Sequence, residues 1–204
     1  MISHIKGIRG DGAGADPVKV LAALGLGVAL LFSSQPVVAT NAMALRSKAV
    51  CLKVLAKANA AGKAPNLKNC KFTRTDLRKR NLRNANLLGA NLYGANLSGA
   101  DLRGANLQGL YLSGTGLIRA NLAGANLTGA TLAFGNQRKA NFSGAILRQV
   151  SGTSADLRGA NLTGTDLTAA DLSFADLEGA LLTDAILTET DFENATMPDG
   201  SVHE

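Results

Sequence analysis

The chain has 204 residues, 46% of them hydrophobic, 4% aromatic and 23 of them Gly, with a net charge of +6. Disorder goes with few apolar residues, and Leu here recurs at a fixed place in unit after unit, so a disordered tract is excluded. The only two His, His4 and His203, lie near the chain ends and support neither metal nor acid–base chemistry.

Residues 1–19 are polar and carry Lys6, Arg9 and Lys19, and the apolar run Val20–Phe32 follows. That run is shorter than the ~20 apolar residues a spanning helix needs. Pro36 breaks it, and Ala42-Met43-Ala44 ends it in an A-x-A pattern. A charged start, a short apolar middle and a small-residue end describe a secretory signal over residues 1–44. Cleavage is expected after Ala44, with Ala39 as the second choice and an uncleaved membrane anchor as the competing reading. No stable membrane insertion is expected once the signal is removed.

Residues 45–64 hold a helix-forming stretch, LRSKAVCLKVLAKANAAG, with Leu45, Ala49, Leu52, Leu55 and Ala56 at helical spacing and Gly62 as a stop. It is expected to form an α-helical cap over whatever follows. A basic membrane-surface helix is the alternative. The only cysteines are Cys51, inside this helix, and Cys70, just beyond it. In an oxidising compartment a Cys51–Cys70 disulfide would tie the helix down, and two buried free thiols are the other reading.

From 65 to 199 the chain repeats one five-residue word, as in ANLLG, ANLYG, ANLSG, ADLRG and ANLQG over 85–109. Taking the central residue as i, 27 units are centred every five residues from Leu67 to Met197. Position i is Leu, Phe or Met except at Gln137 and Gly152, i−2 is mostly small, i−1 is mostly Asn or Asp, and i+2 is often Gly. A period of five fits neither a helix nor a strand. It fits a chain that turns after every unit, with the large apolar residue inside and Asn or Asp bonding the backbone at the bend. Stacked coils would then bury a ladder of Leu on Leu.

These words resemble those of the pentapeptide-repeat family. The resemblance covers about two thirds of the chain and implies an all-β solenoid. The expected form is a right-handed quadrilateral β-helix with four units per coil and six to seven coils, stacked ~4.8 Å apart. Residues 200–204 are then a short C-terminal tail.

In that register, residues 20 apart share a face. Tyr93, Tyr111, Phe134 and Phe174 all flank the centres 92, 112, 132 and 172 at non-core positions, which nominates this face as a candidate protein-binding surface. Ordinary surface rings are the plain alternative. On the next face Arg158 and Glu178 are one coil apart and are expected to pair. Gln137 and Gly152 mark either a pocket or a packing defect, and Arg80, in a small-residue slot, is expected to swing out and distort the first coil.

Charge is uneven along the chain. Seven Lys or Arg lie between residues 65 and 84, and none follows Arg158. Solubility accounts for this asymmetry, and oriented docking of the two ends is the sharper reading. The Asn-Leu-Ser and Asn-Leu-Thr triplets are the repeat itself rather than glycosylation signals, and the glycines form no phosphate-binding loop. No catalytic constellation, cofactor site or metal site is expected, and no nucleic-acid partner. The reading is an exported, non-catalytic scaffold or interaction module with an unidentified protein partner. Its expected compartment, on the resemblance to family members there, is the thylakoid lumen or the periplasm. The alternative is a cytosolic DNA mimic that binds DNA gyrase, as the resemblance to other members allows.

Overall fold

A computed structural model describes residues 46–204. The signal segment and both candidate cleavage sites lie outside the described residues. Parallel bridges link residues 20 apart from Asn66↔Asn86 to Asp176↔Thr196. Four units therefore make one turn, and every unit contributes one short side of a four-sided coil.

The repeat chemistry explains each side. Residues at i fill the interior: Leu67 through Leu177 in this series are at most 2% exposed. Small residues at i−2 share that interior, as Ala85, Ala105 and Ala125 do at 0%. Each corner is closed by an N–H three residues after i donating to the carbonyl of i, as Ala90 does to Leu87 at 2.8 Å. All 18 Asn or Asp at i−1 accept the N–H two residues on through Oδ1, at 2.8–3.4 Å. This Asx bend satisfies a backbone donor that the turn leaves free.

The corner residue at i+2 has positive φ from Asn69 to Asn194, at 26 successive corners. Glycine fills 12 of them, and 14 carry side chains in a region that L residues enter at a cost. Inter-coil bonds recover that cost. At most interior sides the N–H of i and of i+2 donates to the next coil, as Leu97 does to Gly116 at 2.7 Å and Gly99 to Ile118 at 2.9 Å. Threonine at i−2 adds a further tie: Thr165 Oγ1 donates to the Phe142 carbonyl at 2.9 Å and Thr190 Oγ1 to Leu167 at 2.9 Å.

Helix α1, Lys48–Ala60, covers the first coil. Ser47 caps it by accepting the Val50 N–H through Oγ at 3.4 Å. Cys51 and Leu55 are its buried residues, with Leu52 and Val54 packed alongside the core. Cys51 is joined to Cys70 by a disulfide with Cα atoms 5.8 Å apart. Arg46 lies in parallel register with Cys70, and the Asn59 amide donates to the Asn81 carbonyl at 3.0 Å. Among the described residues no helix is long and apolar enough to cross a membrane.

The irregular units are compensated locally. Gln137 is fully buried, and its Nε2 donates to the Leu132 carbonyl at 3.2 Å while Oε1 has no partner. Its amide occupies the space where a Cβ on Gly135 would stand, so a missing methyl makes room for a longer side chain. At Gly152 a Cβ would meet Leu172 Cδ2 at 2.7 Å, so a neighbouring Leu fills the vacancy and Val150 packs beside it. Both sites are therefore packing adjustments rather than a pocket. Arg80 is exposed, but its carbonyl still accepts from Asp101 at 3.0 Å. The first coil thus keeps its register instead of distorting.

Candidate functional site

The face centred on Leu92, Leu112, Leu132 and Leu172 carries the four nominated aromatics, and all four point out. Tyr93 is 50% exposed, Tyr111 65%, Phe134 74% and Phe174 58%. Their places in the unit differ. Tyr93 follows the central Leu, Tyr111 precedes it, and Phe134 and Phe174 occupy corners with φ of 55° and 58°. Those two rings share one column, two coils or ~10 Å apart, with Ser154 between them. A bulky residue in the left-handed region is uncommon, so these corners hold aromatic surface outward where glycine fits more easily.

The same face contains the one interior position where the described ladder opens. Asn91 and Tyr111 form no bridge, although every other interior pair 20 apart does. The N–H groups of Leu92, Gly94 and Tyr111 find no backbone acceptor among the described residues. The cause is legible in the unit Leu110-Tyr111-Leu112. Leu110 occupies the i−2 slot that in most units holds Ala, and it is buried at 3%. Two large side chains then compete for one layer and part the backbones. Tyr93 and Tyr111 flank this seam from opposite coils.

The next face carries an ion-pair ladder rather than the expected Arg158–Glu178 pair. Arg158 forks onto Asp156 with Nε at 2.8 Å and Nη2 at 2.7 Å, and its Nε lies 3.3 Å from Asp176. Arg138 reaches Asp156 at 4.0 Å. The motif Asp-Leu-Arg explains the choice, because positions i−1 and i+1 emerge on the same side of one bend. Arg78 forks onto Asp76 and Arg103 onto Asp101 in the same manner. Hydrogen bonding from Arg78 holds the Asp76 carboxyl down at about 2. Arg103 and Arg158 likewise lower Asp101 and Asp156.

Beside Asp76 the first coil gathers Arg74, Arg78, Lys79 and Arg80 around shallow clefts. Among the described residues no group of His, Cys, Asp and Glu is placed to hold a metal ion. On the aromatic face the Thr153 and Ser173 hydroxyls donate to Asp171 at 2.7 and 2.6 Å, bracing the bends; beside them the face offers apolar, ring-bearing surface.

A four-sided coil, a Leu-lined interior and Asx-bonded corners define a solenoid built from pentapeptides. The family model for pentapeptide repeats matches residues 70–109, 95–133, 138–173 and 166–199, in eight copies. The chain belongs to the pentapeptide repeat family. It is similar to HetL from the cyanobacterium Nostoc sp. strain PCC 7120, a pentapeptide repeat protein involved in heterocyst differentiation regulation. There the identity is 32% over 69% of this chain and 82% of that one, with a TM-score of 0.31. A pentapeptide repeat protein of the Arabidopsis thaliana thylakoid lumen is 28% identical over 53% of this chain and 68% of its own, with a TM-score of 0.24. QnrB1, a plasmid-mediated fluoroquinolone resistance protein, is 21% identical over 60% of this chain and 79% of its own, with a TM-score of 0.33. No curated protein matches the chain. No enzyme family is indicated by these matches.

Proposed function

We propose that the chain is an exported, non-catalytic scaffold that holds a protein partner on its aromatic face, in the thylakoid lumen or the periplasm. The observation that carries this reading is the alignment of Tyr93, Tyr111, Phe134 and Phe174, all at least half exposed on one side of the solenoid. Exposed rings enrich interaction surfaces, and here the fold stacks the units that carry them on one side, with centres at multiples of the coil repeat. Export is supported by the signal pattern over residues 1–44 and by the Cys51–Cys70 disulfide, a bond that persists in oxidising compartments. Cleavage after Ala44 leaves α1 and the solenoid as the mature protein.

The test is site-specific photo-crosslinking in the native cell. Crosslinkers at Tyr93 and Phe174 should capture one and the same protein, and crosslinkers at Leu88 and Ile118 on other faces should not. Equal capture from all four positions defeats the aromatic-face reading. Intact mass of the fractionated protein tests export: a start at Leu45 and a gain of about two mass units on reduction are expected for a closed disulfide.

A further inference from the structure

The two ends of the solenoid are treated differently. The first coil lies under α1 and a disulfide. At the other end the chain reverses after Pro198, and residues 201–203 fold back over half of the last coil. Thr196 and Val202 form an antiparallel bridge, the Asn194 N–H donates to His203 at 2.8 Å, and the Met197 N–H donates to Ser201 at 2.7 Å. Under that strap Phe192 is 8% exposed and Ala195 0%.

The other half of the last coil has no cover among the described residues. Leu187, a central residue of the ladder, is 39% exposed, and Leu182 is only half-buried. One coil earlier the N–H groups of Leu162, Gly164, Leu167 and Ala169 all donate onward, at 2.8–2.9 Å. Their counterparts at Leu182, Asp184, Leu187 and Glu189 have no such partner among the described residues, and neither do the carbonyls of Ala180 and Ala185. The rim breaks the repeat in a consistent direction. Leu181 and Ile186 stand where Asn or Asp is usual, and they are 55% and 50% exposed. Around them lie Asp184, Glu189, Asp191 and Glu193, with no Lys or Arg after Arg158.

We propose that this open half-edge is a docking site for an extended, lysine- or arginine-bearing segment of a partner protein, which adds as one further half-coil. The unpaired groups are set in the register that each earlier coil uses, so an incoming strand finds donors and acceptors already placed. The chain's own tail shows that the last coil accepts an extended segment. Leu182 and Leu187 give the segment's apolar residues a floor, and the acidic rim selects its charge. A second copy presenting the same edge brings the same acidic groups and is repelled. The site is separate from the aromatic face and does not depend on it.

The probe is a fluorescent peptide, ANLKGANLRG, titrated against the full chain by polarisation, beside ANLEGANLEG and a version with Pro at both Asn positions. The cationic peptide should bind at least tenfold tighter than either control, because one carries the wrong charge and the other lacks the N–H groups that reach Ala180 and Ala185. Asp184→Lys with Glu189→Lys should weaken it at least tenfold, and Tyr93→Ala with Phe174→Ala should not change it. By NMR, the amides of Leu182, Asp184, Leu187 and Glu189 should gain exchange protection on binding, with Leu162 and Leu167 unmoved. Equal binding of the three peptides, or unchanged amide protection, overturns the proposal. So does self-association of the free protein that already protects these amides, because the occupant is then a second copy.

Discussion

The Cys51–Cys70 bond closes a loop of 19 residues in sequence. In the chain-entropy account, releasing such a loop returns about 11 cal/mol/K to the unfolded ensemble, or about 3 kcal/mol at 25 °C. In a globular domain that loss would be spread over the whole fold. A solenoid is nearly one-dimensional, and each coil feels only its neighbours. Reduction should therefore act on α1 and the first coil alone, where Leu55, Leu67 and Phe72 lose their cover. An opening made easier by about 3 kcal/mol is more populated by roughly a hundredfold. Hydrogen exchange read by mass spectrometry, with and without a reductant, measures this directly. Peptides spanning 48–60 should exchange about a hundredfold faster after reduction, and peptides from the coils around Leu122 to Leu162 should not change. Uniform acceleration along the chain would refute the one-dimensional reasoning, and no acceleration at α1 would show that the helix is held by packing alone. A Cys51→Ala, Cys70→Ala variant should reproduce the reduced protein without the reagent.

Three other outcomes follow from local geometry. Gln137→Leu removes a buried carbonyl that has no partner and should stabilise the protein by ~1–3 kcal/mol in chemical denaturation. Leu110→Ala should cost at least about 1 kcal/mol less than Leu117→Ala, because the Asn91–Tyr111 seam can close and regain backbone bonds as the cavity forms; the Leu92 and Tyr111 amides should then gain protection. Asp76, Asp101 and Asp156 are held below the usual carboxylate range when folded, so their contribution is present above the unfolded value of ~3.9. It should be lost as pH falls toward about 2, the folded value of Asp76. Denaturation at pH 5, 4, 3 and 2 should show that loss, weaker at high salt because the Asp76 pair is exposed and the other two are only partly buried, and Asp156→Asn should flatten it.

Most of the fold is legible from residue spacing, because one apolar residue in five admits few ways to bury it. The coil length of four units entered through the family resemblance, and the bridges 20 residues apart agree with it. Given that coil length, the aromatic face follows from register arithmetic. Other features needed three dimensions. The Arg158 partner is set by the fork within one Asp-Leu-Arg bend, which a column of residues 20 apart does not reveal. The seam has a sequence signal in Leu110, a large residue in a small slot, but that the ladder opens rather than the side chain turning outward is decided by packing. The open end also has a signal, since Leu181 and Ile186 break the Asn column. The return of the tail over only half the coil depends on the reversal at Pro198 to Gly200, a turn the repeat does not foretell. Gln137 and Gly152 look alike as interruptions, yet one is matched by a missing methyl at Gly135 and the other by a Leu172 methyl from the coil beyond.

The bridge interval of 20 residues also governs how this chain tolerates changes in length. Adding or deleting one five-residue unit in the middle keeps every Leu inside and every corner intact, so the product should still fold. Everything downstream, however, is turned by a quarter revolution. A single unit lost between Tyr111 and Phe134 would carry Phe134 and Phe174 onto a different side from Tyr93. A change of four units lengthens or shortens the stack and leaves the sides in phase. Surface patterns on this scaffold are thus protected by a counting rule as well as by side-chain identity, and rearrangements that respect the multiple of four are the ones that can change reach without changing what is displayed.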